Sequence, residues 1–97
     1  MEIGDKFSTL AAVSGGGDLL VKPPEGVEVT IMNFYYSGSI ELYFTDGSNS
    51  VKLGYDWEEG SLQGWWNITN QRYIKMHNPT TISLVYGYDG VVTKVST

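Results

Sequence analysis

Carboxylate side chains are the first candidates for chemistry, because eleven Asp and Glu residues outnumber six Lys and Arg. Asp56, Glu58 and Glu59 stand close together. A pair of carboxylates can hydrolyse a glycoside when a rigid cleft holds the two groups roughly 5–10 Å apart. Neighbours in sequence on a mobile loop seldom reach that rigidity, so we predict a solvated acidic surface loop over residues 56–63.

His77 is the single histidine of the chain, and histidine is the usual general base near neutral pH. Ser and Asp residues are too widespread to indicate a triad partner, and the chain has no G-x-S-x-G nucleophile elbow. The sequence has no cysteine, which excludes disulfides, a thiolate zinc site and a cysteine nucleophile. We therefore expect a strand-end histidine bonded to backbone or water. We also expect a protein that is not an enzyme and has no catalytic residue, cofactor or metal.

Aromatic residues are the more informative group, because two pairs of them are adjacent in sequence. Trp65 and Trp66 must face opposite sides of an extended strand, and so must Tyr35 and Tyr36. One ring of each pair is then either exposed or covered by something else. A subunit interface is the favoured explanation, since aromatic side chains are enriched at such contacts. A sugar-stacking platform and simple packing within the monomer remain alternatives for these rings and for Trp57.

Alternation of apolar and polar residues predicts strands along most of the chain, while helix signals are almost absent. Asp46-Gly47 and Asp89-Gly90 are typical hairpin turns, and Pro23-Pro24 must end a strand. The predicted strands cover residues 18–22, 27–36, 40–45, 51–55, 64–69, 72–77, 82–88 and 91–95. Seven or eight short strands predict an all-β fold, an antiparallel β-sandwich that is jelly-roll-like or a small barrel.

The first 17 residues differ from the rest of the chain. A mildly apolar segment, 7–13, leads into the flexible run Ser14-Gly15-Gly16-Gly17. One alternative is a first strand, or a frayed terminus, that ends in a flexible turn. The other is an extended arm that becomes ordered only against a neighbouring subunit. We divide the chain into an N-terminal arm, 1–17, and a β-sandwich domain, 18–97.

Charge and hydropathy exclude several classes of partner. The net charge of −5 provides no basic cluster for nucleic acid or for an anionic membrane surface. No stretch of 18 apolar residues could cross a membrane as a helix. The N-terminus lacks the basic start and apolar run of a signal peptide. We therefore expect neither nucleic acid nor membrane as a partner.

The pattern resembles small β-sandwich structural proteins of tailed-bacteriophage virions, such as capsid decoration proteins and fibre or spike modules. The likeness covers about residues 18–95. It is carried by Pro23-Pro24-Glu25-Gly26 before 27–31, by 40–43 before Asp46-Gly47, and by Asn70, 73–76, Asn78 and the ending 87–93. The resemblance implies a virion structural protein without an active site, made in the host cytoplasm and located on the capsid surface. It further implies that the protein binds the major capsid protein as a homo-oligomer, with a trimer favoured.

Two functions from different classes follow. The first is capsid decoration, in which the protein reinforces the lattice of the major capsid protein. The alternative is a carbohydrate- or receptor-binding module of a phage fibre, which requires an exposed ring flanked by polar side chains. The residues expected at a partner interface are Phe7, Leu10, Val13, Tyr36, Trp57, Trp65 and Trp66.

Overall fold

The computed structural model describes residues 1–96, which form eight antiparallel strands in two sheets. The described residues contain no helix, and so none that could span a membrane. The strands are β1 (Lys6–Val13), β2 (Asp18–Val21), β3 (Val27–Tyr36), β4 (Ile40–Thr45), β5 (Ser50–Asp56), β6 (Gly60–Ile68), β7 (Tyr73–His77) and β8 (Leu84–Val95). The predicted all-β sandwich is confirmed.

The strand order identifies the sandwich as a jelly roll. The first sheet has the order β1-β8-β3-β6, and the second has the order β2-β7-β4-β5. Strands therefore pair 1 with 8, 2 with 7, 3 with 6 and 4 with 5, as if one long antiparallel hairpin had been rolled up. Eight strands in two such sheets are the jelly-roll arrangement.

The core lies between the two sheets and is built from alternate residues of the central strands. In β3 and β4 the inward positions are the apolar members of the period-2 pattern, and burying them stabilises the sandwich. Fully or nearly fully buried side chains include Val29, Ile31, Phe34, Ile40, Leu42, Ile68, Ile74, Met76, Tyr86 and Val92.

Residues 1–17 belong to the sandwich in this structure, which differs from the predicted extended arm. Lys6–Val13 pairs with β8 over its whole length as an edge strand of the first sheet. Ser14–Gly17 is the turn into β2, as the alternative of a first strand with a flexible turn required. The reason is that β8 offers an edge long enough for the whole of β1, and pairing there satisfies the β1 backbone groups that face β8. Attachment of this segment to a neighbouring subunit stays a prediction.

The second predicted hairpin, at Asp89-Gly90, is wrong. β8 runs without interruption from Leu84 to Val95, and Gly90 lies opposite both Phe7 and Ile31. A Cβ atom on Gly90 would lie 2.3 Å from the backbone oxygen of Thr30. Glycine is therefore needed here for close approach of two strands, not for a turn.

The predicted acidic loop over 56–63 is also shorter than expected. Only residues 57–59 lie between β5 and β6, since β6 begins at Gly60. β6 is an edge strand whose first six residues are exposed. The sequence pattern does not reveal the first residues of β6, because an exposed edge strand does not require alternating apolar residues.

Candidate association surface

The seven residues predicted at an interface do not form one patch. Leu10, Trp57 and Trp65 have 73%, 68% and 72% of their surface exposed. The other four pack against the core or belong to it: Phe7 and Trp66 are half-buried, and Val13 and Tyr36 are buried. Contact of these residues with a partner stays a prediction.

Adjacent aromatic residues face opposite sides, as the sequence predicts. Trp65 is exposed, while Trp66 packs edge-on against the buried ring of Phe34, with the ring centroids 4.9 Å apart. Tyr35 is exposed and Tyr36 is buried. One ring of each pair is therefore left on the surface, available for contact with another molecule.

The outer side of the first sheet presents an apolar patch, which we call the Leu10 patch and define as Leu10, Tyr35 and Val85. Register places Leu10 and Tyr35 on either side of Gly87, and Val85 lies two residues before that glycine. A Cβ atom on Gly87 would lie 2.8 Å from Cδ1 of Leu10, so the leucine side chain lies over the glycine. All three members are exposed, which is unusual for large apolar side chains grouped on one sheet face.

A polar border limits the Leu10 patch on one side. The Asp89 carboxylate accepts hydrogen bonds from the Tyr35 hydroxyl, at 3.2 Å, and from Asn33 Nδ2, at 3.4 Å. Desolvation and the neighbouring Asp89 raise the pKa of the Tyr35 hydroxyl, which therefore stays protonated as a donor. Ser8, opposite Asp89, helps to line a shallow groove beside Leu10. The patch thus combines apolar contact with a few fixed hydrogen-bonding groups, as interfaces do.

A second exposed aromatic group lies at the turn that connects β5 to β6. The rings of Tyr55 and Trp57 pack edge to face with centroids 5.5 Å apart, and Lys52 Nζ lies 5.0 Å from the Tyr55 centroid. The Asp56 carboxylate fixes this turn, since it accepts bonds from the backbone N–H groups of Trp57 and Glu58. The pair forms a two-ring surface beside a cation, which suits stacking against a ligand.

The Asp56 carboxylate also ties this turn to the core. It accepts a 2.9 Å hydrogen bond from the hydroxyl of buried Tyr36. The Glu58 N–H and then the Tyr36 hydroxyl lower the pKa of Asp56, so the carboxylate stays charged and continues to accept these bonds. The exposed Trp57 ring is therefore carried on a turn that the core positions.

The outer side of the second sheet is charged, in contrast to the Leu10 patch. Glu41 accepts a bond from the Tyr43 hydroxyl at 2.9 Å and pairs with Lys52 at 3.3 Å. The Tyr43 hydroxyl, with a smaller contribution from Lys52, lowers the pKa of Glu41. His77 Nδ1 lies 2.6 Å from Asp18 Oδ1, so its partner is a carboxylate and not the predicted backbone or water. Among residues 1–96, no group of three or more acidic or histidine side chains is placed to hold a metal ion.

Loops at one end of the sandwich line an open polar pocket of about 850 Å³. Lys22 and Arg72 line it together with Asp46, whose carboxylate accepts the backbone N–H groups of Ser48 and Asn49. Both bonds are made to Oδ1, and they lower the pKa of Asp46, the Asn49 bond most strongly. The pocket can hydrogen-bond a small polar ligand through these two cations and through the other polar side chains that line it, such as Asn70 and Gln71.

Sequence reasoning missed Val85 and Tyr55 as exposed residues. The signal for Val85 was present, because it alternates with inward Leu84 and Tyr86 along β8. The signal for Tyr55 was misleading, because β5 contains an extra residue, Leu53, that changes the face of the residues after it.

No family model and no curated protein matches the chain. Among solved structures, the chain is similar to the crystal structure of a Yersinia pseudotuberculosis-derived mitogen, at 15% sequence identity. The match covers 98% of this chain and 92% of that one, with a TM-score of 0.46.

Proposed function

We propose that the protein is a non-enzymatic virion structural protein that decorates the capsid by binding the major capsid protein as an oligomer. The observation that supports this function best is the exposed Leu10 patch on the outer side of the first sheet, where Asp89 is the charged group at its border. An apolar group of this kind marks an association surface. Jelly rolls are also common among viral capsid domains, which makes the fold compatible with this role.

A repeating capsid lattice favours a protein with this kind of surface. Each apolar contact can be weak, because an oligomer that holds one lattice site makes its second contact at a high effective concentration. The flat sheet face provides such contacts without a deep pocket. The charged outer side of the second sheet would then remain in solvent.

The test uses virions assembled with and without the gene for this chain. Purified wild-type protein is added back to the deficient particles, and the bound fraction is measured after pelleting. We expect wild-type protein to bind. Val85→Lys should weaken binding at least about tenfold, because a buried unpaired lysine costs more than about 1.4 kcal/mol.

Val51→Lys is the matched control, because Val51 is exposed on β5, outside the Leu10 patch. It should bind as wild type does. Deficient particles that take up no wild-type protein would contradict the proposed function. If both lysine variants bind the particles equally well, the Leu10 patch is not the surface that binds the capsid.

Saccharide or receptor binding, as in a fibre module, is the second candidate, because the Tyr55–Trp57 pair offers stacking rings beside Lys52. A glycan array tests it with Trp57→Ala and with Trp65→Ala as the matched exposed tryptophan. Binding that Trp57→Ala abolishes and Trp65→Ala preserves would establish the second candidate in place of the first. Absence of binding to any glycan would leave decoration as the better supported function.

A further inference from the structure

We propose that two copies of the chain pair through the free edge of β1, antiparallel and about a two-fold axis at Leu10. The result is one continuous sheet of eight strands, made from the first sheets of both copies. This inference rests on the oligomer part of the proposed function and on none of its capsid part.

The four edge strands of the sandwich differ in how they are protected. Free strand edges recruit other chains, and proteins block them with short strands, prolines, bulges and charges. β2 has four residues and ends close to Pro23 and Pro24. β5 contains the extra residue Leu53, and β6 contains one extra residue where its register with β3 shifts.

β1 has none of these protections. It pairs with β8 over eight consecutive residues without a register shift, and it contains no proline. Its one charged residue, Lys6, stands at the very start of the strand. The other three edges are therefore blocked, while β1 remains long, regular and open.

The β1 sequence is complementary to itself in this register. A two-fold axis at Leu10 places Leu10 opposite Leu10 of the second copy. In this register the two residues of each opposite pair lie on the same face of the sheet. On the outer face Ser8 then meets Ala12 of the second copy, and on the inner face Phe7 meets Val13. Lys6 would lie opposite Ser14, so no charge meets a like charge.

Exposure agrees with this pairing. Leu10 is the most exposed large apolar side chain in the described residues, at 73%. Ser8, Thr9 and Ala12 are also exposed. Pairing two copies at this edge would bring their Leu10 patches side by side. The assembly is a two-fold dimer, in place of the trimer that the virion resemblance implies.

The absence of cysteine allows a direct test of the register. Opposite residues of antiparallel strands have Cα atoms about 4.5–5.5 Å apart, which lies within the disulfide range of about 4.4–6.8 Å. Under mild oxidation, Leu10→Cys should form a disulfide-linked dimer. Val51→Cys, on the edge of β5, is the matched control and should stay largely unlinked.

A mixing experiment adds specificity. Ser8→Cys and Ala12→Cys should each stay unlinked when oxidised alone and should form linked dimers when mixed. Sedimentation of the unoxidised proteins gives the affinity. Leu10→Lys should weaken dimerisation by about fivefold or more, because it removes the Leu10–Leu10 contact and places two like charges opposite each other. Circular dichroism should show an unchanged fold, since Leu10 is exposed.

The possible failures can be told apart. If the wild type dimerises and Leu10→Cys links no better than Val51→Cys, the β1 interface is wrong and the proposed oligomer stands. If the wild type is monomeric at concentrations up to about 1 mM, both the interface and the proposed oligomer are overturned. Add-back to deficient virions would then decide capsid binding independently.

Discussion

At the scale of single residues, Tyr86 links the interior of the sandwich to a connection between the two sheets. Its side chain is fully buried, and its hydroxyl donates a hydrogen bond to the backbone oxygen of Ser39. Burial, with a smaller contribution from Glu41, raises the pKa of this hydroxyl to about 12. The phenol must therefore stay neutral for the native packing to hold.

This environment predicts loss of stability in alkali. The folded-state pKa of about 12 lies above the ordinary value of 10.0, so unfolding favours release of the proton. The contribution is fully present below about pH 10 and is lost as the pH rises toward 12. The free energy of unfolding in urea, measured from pH 8 to pH 12, should fall over that window.

Tyr86→Phe is the control, because it keeps the ring and removes the ionisable group. The variant should be less stable than wild type by about 1 kcal/mol near neutral pH, since it loses one buried hydrogen bond. It should also lose less stability in alkali. An identical decline in both proteins would show that Tyr86 does not cause it.

Sequence alternation predicts the faces of neighbouring residues but not the partners of buried polar groups. The opposite orientations of Trp65 and Trp66 follow from the extended backbone alone. Buried Asn78 gave no such signal. Its Nδ2 donates to the backbone oxygens of Val13 and Ile82, which lie at distant points of the chain. Only the folded arrangement of β1 and the β7–β8 connection brings these groups together.

At the scale of elements, the two Asp-Gly pairs show why local sequence is ambiguous. Gly47 has φ of +97° in the β4–β5 turn, where Asp46 accepts backbone N–H bonds, so the predicted hairpin is confirmed. Asp89-Gly90 lies within β8 and has a strand on each side. The same dipeptide therefore forms a turn at one position and, at the other, allows two neighbouring strands to approach the glycine closely.

Gly90 in β8 should be more sensitive to substitution than Gly54 in β5. In Gly90→Ala the new methyl group would meet the Thr30 backbone oxygen at 2.3 Å, and backbone cannot move aside as a side-chain tip can. We expect a loss of about 2 kcal/mol or more in the free energy of unfolding, from overpacking. Urea denaturation measures it.

Gly54→Ala is the matched control within β5. A Cβ atom there has no neighbour within 4 Å, and its φ is not in the left-handed region. Its stability should stay within about 0.5 kcal/mol of wild type. If both alanine variants lose the same stability, strand propensity and not close approach governs these positions.

At the scale of the whole molecule, the sequence predicts most of the strands but not their pairing. Six predicted segments match β2 to β7, whereas β1 is missing because residues 1–17 are predicted as an arm, and β8 is divided in two at Asp89-Gly90. The order β1-β8-β3-β6 depends on which distant strands bury their inner faces together, and no local signal contains that information. The Leu10 patch was hidden for the same reason, since Leu10, Tyr35 and Val85 come from three strands.

The net charge of the molecule predicts how the affinity of the proposed dimer depends on salt. Each copy carries a net charge of −5, and two copies side by side would lie roughly as far apart as the middle dimension of the molecule, 26 Å. Two such charges repel by about 4 kcal/mol in water without salt. Salt screens this repulsion, since the Debye length falls from about 30 Å at 0.01 M to about 8 Å at 0.15 M.

Raising sodium chloride from 0.01 to 0.15 M should therefore tighten dimerisation by about tenfold, which corresponds to about 1.4 kcal/mol of relieved repulsion. An apolar interface without ion pairs has no attraction for salt to weaken, so repulsion between whole copies decides the sign. Sedimentation velocity at several protein concentrations measures the dissociation constant at each ionic strength. Dimers that weaken as salt rises would show that ion pairs hold the copies together, which β1 cannot provide with Lys6 as its one charge.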